Sequence, residues 1–210
     1  MARKFARLAY SDSVKSVQEK YNSRKANQKL EDAAIGANDE LTEAEIQFIS
    51  GMDTFFMASV GENGWPYIQH RGGPKGFIKI IDKKTLVFPD FRGNMQFISV
   101  GNIQSDKRVS LFFLDFINKR RLKVWAKARV VDLSDDKDLA SLLYLPEYNA
   151  RLERAIILKV EAFDWNCPQH IKQRFTEEEV LALQEQLLEH ITSLENEIEE
   201  LKNQKRSESS

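Results

Sequence analysis

From Thr54 onward the apolar positions of this chain recur with a period of two, where the segment before it reads with a helical period. Residues 54–60, 65–71, 76–81 and 85–89 are short apolar or aromatic runs. They are separated by Gly-Glu-Asn-Gly, Gly-Gly-Pro and Asp-Lys-Lys, which are turn chemistries. The pattern predicts an antiparallel meander. Two longer strands are predicted at 108–116 and 120–132, joined by a polar Ile-Asn-Lys-Arg turn. In the second, Leu122, Val124, Ala126, Ala128 and Val130 alternate with Lys123, Trp125, Lys127 and Arg129, so one face is buried and the other wet. In the first, Val109, Leu111 and Phe113 face one way while Phe112, Leu114 and Phe116 face the other. Both faces of that strand call for cover, by the core on one side and by a helix or a second subunit on the other. A helix around 135–143 and a strand at 155–163 complete the body. Six or seven strands with few helices predict a mainly β fold with flanking helices, closed into a small barrel that leaves few exposed edges.

The segments around this body read differently. Residues 1–40 are polar, with sparse apolar positions such as Val14, Val17, Tyr21 and Leu30, and predict a helical arm. Leu41 to Ile46 carries a helix start: Thr42 caps, Glu45 reaches back to it, and Leu41 staples onto Ile46, with a short helix to about Ser50. Residues 93–104 look helical, with Met95, Ile98 and Asn102 on one face. Phe175-Thr176-Glu177-Glu178-Glu179-Val180 repeats the staple and capping box. Beyond it Gln184, Ile191 and Ile198 fall at heptad a, and Val180, Leu187, Leu194 and Leu201 at d, a pattern that favours a parallel two-stranded coiled coil. The other reading of this tail is one amphipathic helix packed on its own barrel. The organisation expected is an arm over 1–40, a barrel over 41–175, a coiled-coil helix over 176–203 and a disordered tail over 204–210.

Charge narrows the partners. The 31 basic and 32 acidic residues leave a net charge of −1, so no global field draws in nucleic acid or an anionic membrane. Cys167 is the only cysteine, which excludes an intramolecular disulfide. No apolar run has the length of a signal peptide core or a membrane span, and the expectation is a cytoplasmic protein.

No metal site is expected, because His70, His170 and His190 are isolated from one another and neither HExxH nor paired CxxC occurs. The chain also lacks a GxSxG elbow, a P-loop and a strand-to-helix GxGxxG. The basic clusters at Lys119, Arg120 and Arg121 and at Arg151 and Arg154 could touch phosphates; a hairpin turn and a solvated edge are the simpler readings and are the ones expected. The most informative stretch is residues 71–94. It joins RGGPKG to FPDFRGN and so assembles backbone N–H groups, the cations Arg71 and Lys75, and room for close approach, which is what a phosphate needs. By period two, Arg71 shares a strand face with Gln69 and Tyr67, placing a cation beside an amide.

Four segments in order carry a resemblance: RGGPKGF at 71–77, TLVFPDFRGN at 85–94, NIQSDKRVSLFF at 102–113 and NCPQHIKQR at 166–174. The chain resembles the flavin-nucleotide-binding proteins related to pyridoxamine 5′-phosphate oxidase. The resemblance implies a split β-barrel that dimerises and holds FMN in grooves between subunits; FAD or a deazaflavin is bound by some related barrels. It implies cofactor contacts from Gln69, Arg71, Gly72 and Gly73 on one strand and turn, from Pro89, Asp90, Gly93 and Asn94 on a loop, and from Arg174. His170 and Lys172 would meet a small-molecule substrate. Two departures stand out. His170-Ile171-Lys172 stands where the oxidases carry RLH, and Gly93-Asn94 replaces their phosphate-clamping Arg-Lys pair. Both argue against oxidation of pyridoxamine phosphate and leave flavin binding intact. An FMN-dependent oxidoreductase is the first expectation, and a flavin carrier or sensor acting through coiled-coil assembly is the alternative.

Overall fold

The computed structural model describes residues 3–31 and 37–208, the side chains of 206–208 excepted. It divides into two compact units, one formed by Met1–Asp115 with Arg120–Gln169 and the other by Phe116–Lys119 with His170–Ser210.

The first unit is built on seven antiparallel strands: β1 (Thr54–Val60), β2 (Pro66–Gly72), β3 (Lys79–Asp82), β4 (Thr85–Phe91), β5 (Arg108–Asp115), β6 (Arg120–Asp132) and β7 (Leu152–Trp165). Their order in the sheet is β2-β1-β5-β6-β7-β4-β3. Alternation sets the faces. Phe55, Met57 and Ser59 of β1 are buried while Phe56 is exposed, and Val109, Leu111 and Phe113 of β5 are buried against the same core. Phe55 packs on Phe77, Phe88 and Phe113 with ring centroids 6.0, 5.1 and 5.2 Å apart. Phe55 lies on β1 and Phe88 on β4, four strands away in the sheet. Their contact shows that the sheet curls until its two ends face one another across a shared aromatic core. The hydrogen-bonded ladder does not close between β2 and β3, and the architecture is a split β-barrel with flanking helices.

The helices cover what the sheet leaves open. The helix α4 (Glu43–Ser50) begins at the predicted capping box: the Glu45 carboxylate accepts from the Thr42 backbone N–H at 2.9 Å and from the Trp165 indole N–H at 2.6 Å. Beside it, the Arg120 guanidinium lies over the rings of Phe48 and Trp165 at 5.0 and 4.6 Å while the residue stays exposed, so the hairpin arginine both packs and faces water. The arm forms α1 (Lys4–Ala9), α2 (Asp12–Lys20) and α3 (Arg24–Glu31), and Phe5 of α1 stacks on Trp125 at 4.6 Å. The face of β6 predicted to be wet is therefore partly covered. Lys4 anchors α1 by a 2.9 Å bond to Glu161 of β7. A short α6 (Lys137–Leu143) crosses the predicted interval 135–143.

One predicted helix is shorter than its pattern. Residues 93–97 are not helical, and α5 spans only Ile98–Ser105. Met95 and Phe97 adopt left-handed backbone with φ of 61° and 54°, and the Asn94 carboxamide caps a local turn by accepting from the Gln96 N–H at 3.1 Å. Side chains that bond to their own backbone compete with the helix. The buried side of α5 is Ser99 and Ile103, not the Met95, Ile98 and Asn102 face.

The second unit contains α7 (Glu177–Glu208), a helix of 32 residues. Residues 209 and 210 lie outside the described residues. Within this unit Gln173 donates to the Ile117 carbonyl at 2.8 Å and the Arg174 guanidinium lies 4.9 Å from the centre of the Phe116 ring. No described helix is long and apolar enough to cross a membrane.

Candidate functional site

Asp90 is the centre of the most organised polar cluster in the barrel. It sits near the end of β4, directly opposite Arg154 of β7 in the strand register. A bulge follows between Asp90 and Phe91, which turns the chain away from the ladder into the 93–97 loop. The Asp90 carboxylate, 6% exposed, accepts from Arg71 Nη1 at 2.6 Å through one oxygen and from Arg154 Nε at 2.8 Å through the other. Arg71 comes from β2, so this triad spans the split between the two ends of the sheet. Aromatic rings complete the support, Phe88 under Arg71 at 5.8 Å and Phe97 under Arg154 at 5.0 Å.

The cluster floors a cleft of about 190 Å³ lined by Tyr67, Gln69 and Arg71 of β2, by Gly93, Asn94 and the residues that follow into α5, and by Glu153 and Arg154 of β7. Ser99 of α5 donates to the Gln69 carbonyl at 3.0 Å and so fixes that amide at the cleft wall. Glu153 offsets part of the charge, lying 3.2 Å from Arg154, 3.8 Å from Arg92 and 3.9 Å from Arg151. Within the lining Arg71 and Arg154 balance Asp90 and Glu153, and Arg92 and Arg151 reach Glu153 from outside it.

Two features of the site stand out. The Nε of Arg71 is buried and has no hydrogen-bond partner, a donor that solvent does not reach and the protein does not satisfy. A Cβ built on Gly93 meets nothing within 4 Å, so the backbone at this glycine faces open space and a ligand can approach it closely. The other glycines of the predicted set have different reasons. A Cβ on Gly73 would stand 2.8 Å from Phe77 and one on Gly72 3.1 Å from His70, so packing explains both.

The structure thus gathers Gln69, Arg71, Asp90, Gly93 and Asn94 around one cleft. Gly72, Gly73 and Pro89 are outside its lining; Pro89 is buried in β4 opposite Ala155. Lys75 is exposed on the turn after β2, and His70 points to the opposite side of β2 from Arg71, bonded to the Thr54 hydroxyl. His170, Lys172 and Arg174 belong to the second unit. Arg154 is a correction to the sequence reading, which took it for a solvated edge. Its cross-strand partner Asp90 lies 64 residues away, and only the β4–β7 register reveals the pairing.

A split barrel of seven antiparallel strands, with an arginine–carboxylate cleft between its sheet ends, defines the class. The chain belongs to the pyridoxamine 5′-phosphate oxidase family, whose model matches residues 41–166. Among solved structures, a candidate pyridoxamine 5′-phosphate oxidase from Lactobacillus delbrueckii is 20% identical with a TM-score of 0.47, covering 60% of this chain and 94% of that one. HupZ of Group A Streptococcus is 15% identical with a TM-score of 0.46, over 64% of this chain and 100% of its own. An FMN-binding protein from Syntrophomonas wolfei is 13% identical with a TM-score of 0.43, over 74% and 97%. No curated protein matches the chain.

Proposed function

We propose that this protein binds FMN in the Arg71–Arg154 cleft, works as a homodimer, and is a flavin-dependent oxidoreductase acting on a small molecule. The observation that carries the reading is the Arg71–Asp90–Arg154 cluster at the floor of the cleft, with the open backbone of Gly93 in the same lining. A phosphate dianion suits both: it accepts from guanidinium forks, and the bare backbone at Gly93 leaves it room. Gln69, with its carbonyl held by Ser99, offers its NH₂ group to a ligand, and Asn94 borders the same space. FMN so held supplies hydride exchange at its N5 atom.

Dimerisation is supported by what one chain leaves open. A cleft of about 190 Å³ is smaller than the ~300–1,000 Å³ typical of small-molecule pockets, so a single subunit encloses only part of the ligand. The outward face of β2-β1-β5 is apolar, with Ile68 64% and Phe56 38% exposed, and Ala58 paired to Ile68 on one side and Ser110 on the other. A second copy seated there would bury it.

The carboxylates in the cleft are both engaged by arginines, which leaves Tyr67 as its other titratable group. The chain's own contribution is therefore read as positioning and charge, with no general base assigned. That same observation favours a second reading, a flavin carrier or sensor without turnover. Oxidation of pyridoxamine phosphate is disfavoured by His170-Ile171-Lys172 and Gly93-Asn94.

The test is the visible spectrum of the purified protein, with mass identification of what it releases on denaturation. Flavin bands and FMN are expected; FAD or a deazaflavin in the released fraction revises the cofactor. A colourless protein that cannot be reconstituted with FMN overturns the proposal. Chemical reduction followed by consumption of oxygen or a candidate substrate then separates the oxidoreductase from the carrier.

A further inference from the structure

The helix α7 carries an apolar stripe that its own unit leaves exposed. Val180, Leu187, Ile191, Leu194, Ile198 and Leu201, which form the a/d seam, are between 41% and 62% exposed. At 32 residues the helix is about 48 Å long, and an apolar seam sustained over three heptads is a coiled-coil signal, not that of a surface helix lying on a core. An unpaired helix with such a face is marginal in water, and its stability comes from a partner for that face.

We propose that α7 pairs in parallel with α7 of a second copy as a two-stranded coiled coil. The residues flanking the seam select both the partner and the direction. In a parallel pair, each g position faces the e position five residues further along the other helix. Leu183 then meets Leu188, His190 meets Glu195, and Glu197 meets Lys202 of the second copy, each pair formed twice by symmetry. Like sits with like where both are apolar, and opposite charges meet further on. The antiparallel register that keeps Ile191 against Leu194 and Ile198 against Leu187 does the reverse: it sets Leu188 against Glu195 and Leu181 against Lys202. Positions b, c and f, among them Glu185, Glu189, Glu199 and Glu200, keep the outer surface charged and single-layered.

The proposal needs only the helix and does not depend on the cofactor. A parallel pair starts both coils at the same end, so the two preceding barrels emerge close together at a raised effective concentration.

The experiment uses the full chain with Cys167→Ser and Leu201→Cys, treated with a short bis-maleimide. A parallel pair holds the two introduced thiols side by side at one d layer, and a covalent dimer is the expected main product. Adding Leu194→Glu should reduce the crosslinked fraction severalfold. Glu197→Lys should weaken it by placing like charges together, and Glu197→Lys with Lys202→Glu should restore it, which is the signature of a direct contact between those two positions. Residues 197 and 202 do not face each other within one helix, so rescue reports the other copy. Absence of the covalent dimer, crosslinked trimers or larger species, crosslinking indifferent to Leu194→Glu, or failure of the charge exchange to rescue would each overturn the pairing. FMN content of the same samples, read from absorbance, tests the cofactor reading separately.

Discussion

Asp90 shows how much one side chain decides in this barrel. It is the shared counterion of Arg71 and Arg154, and the three come from β4, β2 and β7. Removing different members should therefore have different consequences. Asp90→Ala leaves the half-buried Arg71 guanidinium without its anion and Arg154 with Glu153 alone, and should cost about 3 kcal/mol of stability in urea unfolding, at the low end for a broken buried pair. Arg71→Ala leaves Asp90 paired to Arg154, so its main effect should be on FMN, weakened by about 1.5–3 kcal/mol in a titration. Unchanged affinity would mean that the phosphate is held elsewhere. The glycines divide in the same way. Gly73→Ala pushes a methyl group to 2.8 Å from Phe77 and should destabilise by about 1–3 kcal/mol without a specific effect on the cofactor. Gly93→Leu, with open space before it, should leave the unfolding midpoint nearly unchanged and reduce FMN retention.

At the scale of elements, α1 is held to the sheet by charge as well as by Phe5 on Trp125. The Lys4 ammonium bonded to Glu161 holds that carboxyl below its ordinary value of 4.5, against the opposing effect of burial, and Lys127 adds to the attraction. A carboxyl whose pKa is depressed on folding contributes stability above its unfolded value and loses it as pH falls through the folded value. Acidification below about pH 4.5 should therefore loosen α1, read as a change in Trp125 fluorescence against a Trp125→Phe control. Lys4→Met should return the Glu161 titration, followed by NMR, toward the ordinary range. The boundaries of α5 carry a second lesson. The pattern over 93–104 is helical, yet the first turn is displaced by the Asn94 side chain and by two left-handed residues, and that displacement opens the backbone at Gly93 to the cleft.

At the scale of the molecule, the sheet is split and its two ends are joined by side chains instead of a ladder. Phe55 on Phe88 and Arg71 on Asp90 hold β2-β1 against β4, so the cleft lies where the barrel fails to close. The same opening leaves the outward face of β1 and β2 apolar. Ile68→Glu in a chain ending at residue 174 should convert a dimer into a monomer in light scattering and release FMN in the same step. A dimer that persists would place the interface on another face, and a monomer that keeps its FMN would show that one chain suffices for the cofactor.

What the sequence by itself determined is the set of elements and half of the site. Period-two alternation and short apolar runs between turn residues placed all seven strands within a few residues, because the pleat sends alternate side chains to opposite faces; β4, buried on both, reads as a run. The capping boxes at Thr42 and Thr176 fixed two helix starts, since they satisfy local backbone donors whatever the surroundings. Gln69, Arg71, Asp90, Gly93 and Asn94 were legible as a group because they fall in two short motifs. Tertiary structure alone decided the rest. Arg154 reads as an edge residue until the β4–β7 register sets it opposite Asp90, and Trp125 reads as exposed until Phe5 covers it. Local patterns record which side of an element meets water; which distant residue stands across from it depends on how the sheet curls, and no single segment contains that information.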